Sequence, residues 1–370
     1  MERNDKELNF IVEWFDKQPQ ILKRYLLKLF MPASEVEMYD LSTNRRFLKR
    51  TKLPSHINGS DFVIGNRVLL FSRDLSIVEY GDNATRKLLA TAREKMAMII
   101  MPTSYKQIGN LVNQVELKDL NVTNIKSFSM QKILKLDRAT SVLGLVSDKS
   151  IYSNGVSEDL AVAVIFEGSN TFDEIKELQE QLHFDNPTAD ILLSRNSNHA
   201  EEIAHILFTS VPMNRMTTAA FDNCTCCLIK PHAVKLRTIG AILDTIPSNE
   251  YDISAIQLFH LERAMAAEFY EIYEGLAADF NNMVDELCSG PVIALEIRHK
   301  AAVTDTENIV KSFRKVVGPW DVQMAQELFP DSIRGKYGVS SVKNAVHCTD
   351  LAEDGVSEVS YFFDVLIGNK

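Results

Sequence analysis

Leu160-Ala161-Val162-Ala163-Val164-Ile165-Phe166 and Val292-Ile293-Ala294-Leu295-Glu296-Ile297 are two short apolar runs of one chain, with Ala163 and Ala294 standing 131 residues apart. The same interval separates Gly109 from Gly240, Ile125 from Ile256 and Phe128 from Phe259. Upstream, Ala97-Met98-Ile99-Ile100-Met101-Pro102 aligns with Cys226-Cys227-Leu228-Ile229-Lys230-Pro231 at an interval of 129. An interval held over such a length marks an internal repeat. Two copies of one α/β fold follow, each a little over 100 residues long. Each copy reads strand, helix, strand, helices, strand, helix, strand, an α+β pattern of split βαβ type. In the second copy the spacing predicts strands at Thr225 to Lys230, Tyr251 to Leu261, Pro291 to Arg298 and, from period-two patterning, Glu358 to Val365. It predicts helices at Ile239 to Ile246, Ala264 to Cys288 and Asp305 to Val317. A linker rich in Thr, Asn and Met spans Pro212 to Phe221.

The 370 residues lead to an expectation of two or three domains. No apolar run approaches the roughly 18 residues of a membrane span, and the charged start Met1-Glu2-Arg3-Asn4-Asp5 argues against a secretory signal. The five cysteines are odd in number, and Cys224-x-Cys226-Cys227 reads as small apolar thiols on a buried first strand rather than as a metal or redox site. A reducing, cytosolic compartment is the expectation.

The formal net charge of −10 speaks against bulk binding of nucleic acid. It is also uneven: residues 1–92 carry +3, 93–212 carry −5 and 213–370 carry −8. The basic head reads as β-rich, with strands expected at Phe10 to Phe15, Val36 to Tyr39 and Leu75 to Tyr80 between breakers. Arg45, Arg46, Lys49, Arg50 and Lys52 crowd around Phe47 and Leu48. That stretch is either a solvated hairpin or a contact for an acidic partner surface.

The chemistry concentrates in the second copy, in Asn344-Ala345-Val346-His347-Cys348-Thr349-Asp350, which is expected to be a loop. A lone His is usually structural, but this one has company. Lys230-Pro231-His232 ends the first strand, Arg314 precedes Gly318-Pro319, Ile333-Arg334-Gly335 precedes the His segment, and Glu358 follows it. Lysine, two arginines, a histidine and a carboxylate are suited to handling a polyanion through a covalent histidine step.

On these motifs, with Ser289-Gly290-Pro291 and Lys311-Ser312-Phe313-Arg314 added, nearly all of residues 221–370 resembles a nucleoside diphosphate kinase. Residues 1–90 are similar to the β-rich DM-ten domain found ahead of two kinase domains in an axoneme-associated branch of that family. The resemblance implies an α+β multidomain chain: a PH-like DM-ten domain at 1–92, a degenerate kinase-like domain at 93–211 and a kinase domain at 221–370, both of the latter ferredoxin-like. It implies that His347 is the phosphate-accepting nucleophile and that Glu358 fixes its tautomer. Lys230, Arg314 and Arg334 would neutralise phosphates, Asn344 and Lys230 would hold the ribose hydroxyls, Tyr270 would orient near the nucleophile, and Thr349 would support its segment. It implies Mg2+ held mainly by the nucleotide phosphates, and nucleoside di- and triphosphates, tubulin of the doublet microtubule and other axonemal proteins as partners. It implies residence in cytoplasm, cytoskeleton and cilium axoneme, and neither a nucleic acid nor a membrane partner.

Departures from the family pattern bear on activity. Trp320 stands where a phosphate-contacting Thr is usual, Ala277 and Ala278 where a phosphate-binding Arg is usual, and Cys348 where a Gly is usual. One lost charged contact costs about 1.5–3 kcal/mol. The first copy has Met101 in place of Lys230, and Leu192 to Ser197 in the place of the His segment, with Ser194 or a neighbour at the nucleophile's position. His199 and His205 fall out of frame and read as surface residues. The first copy is therefore expected to be a pseudo-kinase. Two functions remain open: phosphoryl transfer in the second copy of a microtubule-associated protein, or a purely structural microtubule-binding role that uses Arg45, Arg46, Lys49 and Arg50.

Overall fold

The computed structural model describes residues 6–16, 21–31, 33–54, 57, 59–62, 64, 66–92, 94–133, 135, 160–169, 171–181, 191–210, 213–246, 250–300 and 308–368. The chain forms two compact units, Met1–Arg93 and Glu94–Lys370.

Among the described residues the first unit contains a six-stranded antiparallel sheet and a helix at Asn83–Ala92. Its strands are β1 (Lys6–Asp16), β2 (Ile21–Met31), β3 (Glu35–Asp40), β4 (Arg45–Lys52), β5 (Arg67–Leu70) and β6 (Arg73–Tyr80), in the order β4-β3-β2-β1-β6-β5. Alternation builds it. Leu8, Phe10 and Val12 of β1 point into one core with Tyr25, Leu27 and Leu29 of β2, and Phe10 lies opposite Leu27 in the register. The basic stretch is the edge strand β4, exposed along most of its length. Arg46 is paired with Glu37 at 2.9 Å and Arg50 with Glu35 at 2.6 Å. Cationic side chains on an edge strand discourage pairing by a stray chain.

Among the described residues the second unit has one antiparallel sheet of eight strands, with helices packed on it. The strands are β7 (Glu94–Ile100), β8 (Asn121–Ser129), β9 (Leu160–Gly168), β10 (Ile191–Leu193), β11 (Cys224–Ile229), β12 (Tyr251–His260), β13 (Pro291–His299) and β14 (Val346–Cys348). The order β10-β7-β9-β8-β12-β13-β11-β14 is 4-1-3-2 in each half, mirrored about the β8–β12 seam. This is the ferredoxin-like arrangement that the split βαβ reading requires. The repeat survives in detail. The register of β8 on β9 slips between Val122 and Asn124, and that of β12 on β13 between Ile253 and Ala255, at the same interval of 131. Thr123 Oγ1 donates to Ile165 O at one bulge and Ser254 Oγ to Glu296 O at the other, again 131 apart.

The halves meet about a local two-fold. Lys126 faces Gln257 across the seam. Helix α1 (Ile108–Leu117) packs on helix α2 (Ile239–Thr245). A Cβ on Gly109 would strike the backbone of Asp244, and one on Gly240 the backbone of Asn113, so only glycine permits the approach. Glu116 crosses the seam to accept the N–H groups of Ile239 and Gly240 at 3.3 and 2.8 Å. Burial outweighs those donors and pushes its carboxyl up to about 7. One apolar core runs beneath both halves, from Met98 and Ile100 through Ile125 and Ile256 to Ile229 and Leu295. Among the described residues no helix is long and apolar enough to cross a membrane.

Three expectations need correction. Glu358 to Val365 is not a strand: Gly355–Ser360 is α-helical and Tyr361–Val365 continues as a wider π-turn. Val359, Phe362, Phe363, Leu366 and Ile367 are buried in one core, a helical i, i+3, i+4, i+7, i+8 stripe that outranks the short alternation. The fourth strand is β14, so His347 sits on a strand edge and not in a loop. The stretch expected to be helical at 264–288 is interrupted: Arg263–Phe269 and Phe280–Leu287 are helices, with a turn at Glu271–Tyr273 and Gly275 at φ +75 between them. Of the linker, Pro212 lies outside the described residues; Met213–Arg215 is a single 3-10 turn.

Candidate active site

β14 hangs on the outer edge of the second half, with His347 opposite Leu228 and Cys348 opposite Cys227. Cys224, Cys226, Cys227 and Cys348 are buried free thiols, as expected of apolar strand residues. His347 is only 1% exposed. Its Nε2 lies 2.9 Å from Glu358 Oε2. Thr349 Oγ1 donates to the same oxygen at 2.9 Å and accepts the Cys226 N–H at 3.0 Å. A carboxylate only accepts, so the imidazole proton is on Nε2. Nδ1 then carries the lone pair, and it is buried without a partner. The rings of Phe269 and Tyr270 stand at 5.1 and 5.7 Å and fence the imidazole in. One ring nitrogen is anchored and the other is free, the arrangement that a nucleophilic imidazole requires.

The other expected residues converge on it unevenly. Lys230 caps the end of β11, is fully enclosed, and donates from Nζ to Val342 O at 2.9 Å. Burial, with Arg334 beside it, pushes the ammonium down to about 7. Arg334 is buried and tethered to the nucleophile's own strand: Nη2 donates to Val346 O at 3.2 Å, and Nη1 to Gly318 O at 3.0 Å. Asn344 is buried with both amide atoms unpartnered, and so is the Tyr270 hydroxyl. Arg314 pairs with Asp350 and donates to Thr349 O at 3.4 Å. Burial opposes charge on Asp350, but Tyr273 and Arg314 hold its carboxyl below the usual range. Buried polar atoms without partners are rare, and four of them lie on Tyr270, Asn344 and His347.

An opening of about 410 Å³ lies beside this cluster, lined by Tyr273, Ala277, Ala278, Asp279, Met283, Arg314, Trp320, Ser341, Val342 and Asp350. Trp320 is its inner wall: the indole lies 5.4 Å from Lys230 Nζ and 5.5 Å from Arg334 Cζ, over both cations. Lys230 and Arg334 do not line the opening, whereas Arg314 does. Among the described residues no group of three or more His, Cys, Asp or Glu is gathered to hold a metal. A magnesium ion fits here only as a companion of nucleotide phosphates, with Asp350 and Asp279 as the carboxylates on the wall.

The first half carries the same frame with other residues at the matching positions. Leu192 lies opposite Ile99 in β7, the place that His347 occupies opposite Leu228. Ser194 is the counterpart of Thr349, not of the nucleophile. Its N–H donates to Ala97 O and its Oγ accepts from Ala97 N, as Thr349 does with Cys226. Met101 stands buried where the second half has Lys230. His205 is exposed, and His199 Nδ1 accepts the Arg195 N–H near the surface.

The sequence profile of nucleoside diphosphate kinases matches residues 223–366. A Mus musculus protein named nucleoside diphosphate kinase homolog 7 is 34% identical over 96% of this chain and 93% of its own length. The Rattus norvegicus protein of the same name is 33% identical over the same shares. The chain belongs to the nucleoside diphosphate kinase family. A Lawsonia intracellularis nucleoside diphosphate kinase, 36% identical, aligns with 38% of this chain and 94% of its own length, so a family enzyme of that size corresponds to a single half of the larger unit. In the sequence Trp320 is legible only as a departure from the usual Thr; its stacking on Lys230 and Arg334 is a contact made through space.

If Trp320 competes with phosphates for Lys230 and Arg334, its removal tightens nucleotide binding. Each stacking contact is worth about 0.5–2 kcal/mol, so Trp320→Ala should bind a nucleoside diphosphate roughly tenfold more tightly by calorimetry. Equal or weaker binding contradicts this role.

Proposed function

We propose that the second half of the larger unit transfers the terminal phosphoryl group of a nucleoside triphosphate to a nucleoside diphosphate through His347. The single observation behind this reading is the Nε2–Glu358 hydrogen bond, which leaves Nδ1 as an unprotonated, unpartnered nucleophile. Nδ1 attacks the γ-phosphorus, the bond from phosphorus to the β,γ-bridging oxygen breaks, and the diphosphate leaves with that oxygen's electron pair. Positive charge spreads over the imidazole, and the Glu358 carboxylate stabilises it through Nε2–H. A second diphosphate then takes the phosphoryl group by the reverse of these steps. Lys230 regains its full charge against the phosphates; Arg334 and Arg314 exchange part of their carbonyl and Asp350 contacts for phosphate oxygens. Magnesium, when bound with the nucleotide, supplies further charge neutralisation. Asn344 and Tyr270 direct their unpartnered atoms to the sugar and the nucleophile. In this reading residues 221–370 are the catalytic domain, 93–211 a degenerate copy retained for the seam, and 1–92 a DM-ten-type domain.

A second role is compatible with the first. The exposed cationic edge strand β4 suits an acidic surface, and we assign to it a contact with tubulin on ciliary doublet microtubules, which would place the chain in the cytoskeleton of the axoneme. Co-sedimentation with microtubules should fall with salt and with reversal of Arg45, Arg46, Lys49 and Arg50 to Glu. Salt-insensitive binding, or none, removes this role.

Incubation with γ-labelled ATP should give the wild-type protein an acid-labile, base-stable label. His347→Gln should take none, and Glu358→Gln should label at a rate lowered by about a hundredfold or more. An unlabelled wild type, or equal labelling of His347→Gln, defeats the proposal.

A further inference from the structure

We propose that His232, seated on Glu286, is a positioning residue that sets the nucleophile's segment by holding the backbone of Ala345. The inference rests on the phosphoryl-transfer reading of the site.

His232 lies in the short helix Pro231–Lys235 that follows Lys230, and both it and Glu286 are buried. Its Nδ1 is 2.7 Å from Glu286 Oε1, and the same oxygen accepts the His232 backbone N–H at 3.0 Å. Its Nε2 lies 3.1 Å from the backbone N of Ala345. A backbone N–H only donates, so Nε2 must be the acceptor and the ring proton must sit on Nδ1, facing the carboxylate. The pair is the His347–Glu358 arrangement with the two nitrogens exchanged.

Ala345 is where such a hold is needed. Its φ is +69, the left-handed region that disfavours residues with a Cβ. Its carbonyl accepts the Lys230 N–H at 3.0 Å. The peptide groups on both sides of this residue are therefore gripped by the segment Lys230 to His232. On one side of Ala345 stands Asn344, with its unpartnered amide; on the other are Val346 and His347, with its unpartnered Nδ1. Rotation at Ala345 would move both groups together. His232 touches no reacting atom and acts through this backbone alone. Glu286 is 54 residues from His232, so no spacing in the sequence pointed to the pair.

The test compares the full-length wild type with His232→Leu and His232→Gln. A Gln carboxamide oxygen can accept the Ala345 N–H and its NH2 can donate to Glu286; Leu fills similar space and does neither. Two quantities are read: labelling of His347 by γ-labelled ATP, and hydrogen exchange of the Ala345 amide. The Leu variant should label about tenfold to a hundredfold more slowly at saturating ATP, the scale of a small misplacement. The ATP concentration at half-saturation should stay within about twofold, and Ala345 exchange should accelerate by about tenfold or more. The Gln variant should recover most of both. A Leu variant with wild-type labelling and protection overturns the proposal, as does a Gln variant as impaired as Leu in both. Nitrogen NMR of the His232 ring in the wild type needs no variant to fold: a protonated Nδ1 and bare Nε2 are expected, and a protonated Nε2 overturns the proposal. If the wild type takes no label the phosphoryl-transfer reading falls, and amide exchange and the ring tautomer alone decide whether His232 holds the turn.

Discussion

The hydrogen bond between His347 Nε2 and Glu358 is the contact on which the rest of this site depends. It puts the proton on one nitrogen and so leaves the other able to attack. Each partner is delivered by a different part of the fold. Three residues of edge strand, zipped to β11, hold His347. Glu358 comes from the first turn of a helix whose Val359, Phe362 and Phe363 are packed in the core beside the sheet.

Around that bond the site is closed. Lys230 and Arg334 are not waiting in solvent: their charges lie under the Trp320 indole and on backbone carbonyls. Desolvation makes such cations strong partners for a phosphate once it arrives and costly to keep charged until then, which is the physical content of a Lys230 pushed down to about 7. In the proposed function the indole stands in for the ligand, so that nucleotide binding would be an exchange of partners rather than a simple addition.

Much of the fold was legible because a repeat states its own topology. The interval of 131 predicted two like halves, and it proves fine enough to carry the strand register, the bulges at Thr123 and Ser254, and the glycines at the seam. The interval from Pro102 to Pro231 likewise set Met101 against Lys230. What failed was local. Glu358 to Val365 alternates over a few residues and also satisfies helical spacing, and only burial on one face separates the two. Ser194 or a neighbour is the sequence expectation opposite His347, and the structure puts Leu192 there, because the short fourth strand has too little sequence to fix a register without its partner strand. At the site, the residues that carry charge or a ring nitrogen could be read from their order. The contacts that govern them could not: Trp320 on two cations, Asp350 between Tyr273 and Arg314, and His232 on Ala345 all join distant segments through space.

The account stands or falls on which ring nitrogen of His347 receives phosphorus. Labelling the imidazole with nitrogen-15, phosphorylating the protein with ATP and reading the phosphorus–nitrogen coupling by NMR addresses this directly. The coupling should appear at Nδ1, with Nε2 still carrying its proton toward Glu358. Phosphorus on Nε2, or a phosphorylated residue other than His347, would contradict the geometry from which the mechanism is built.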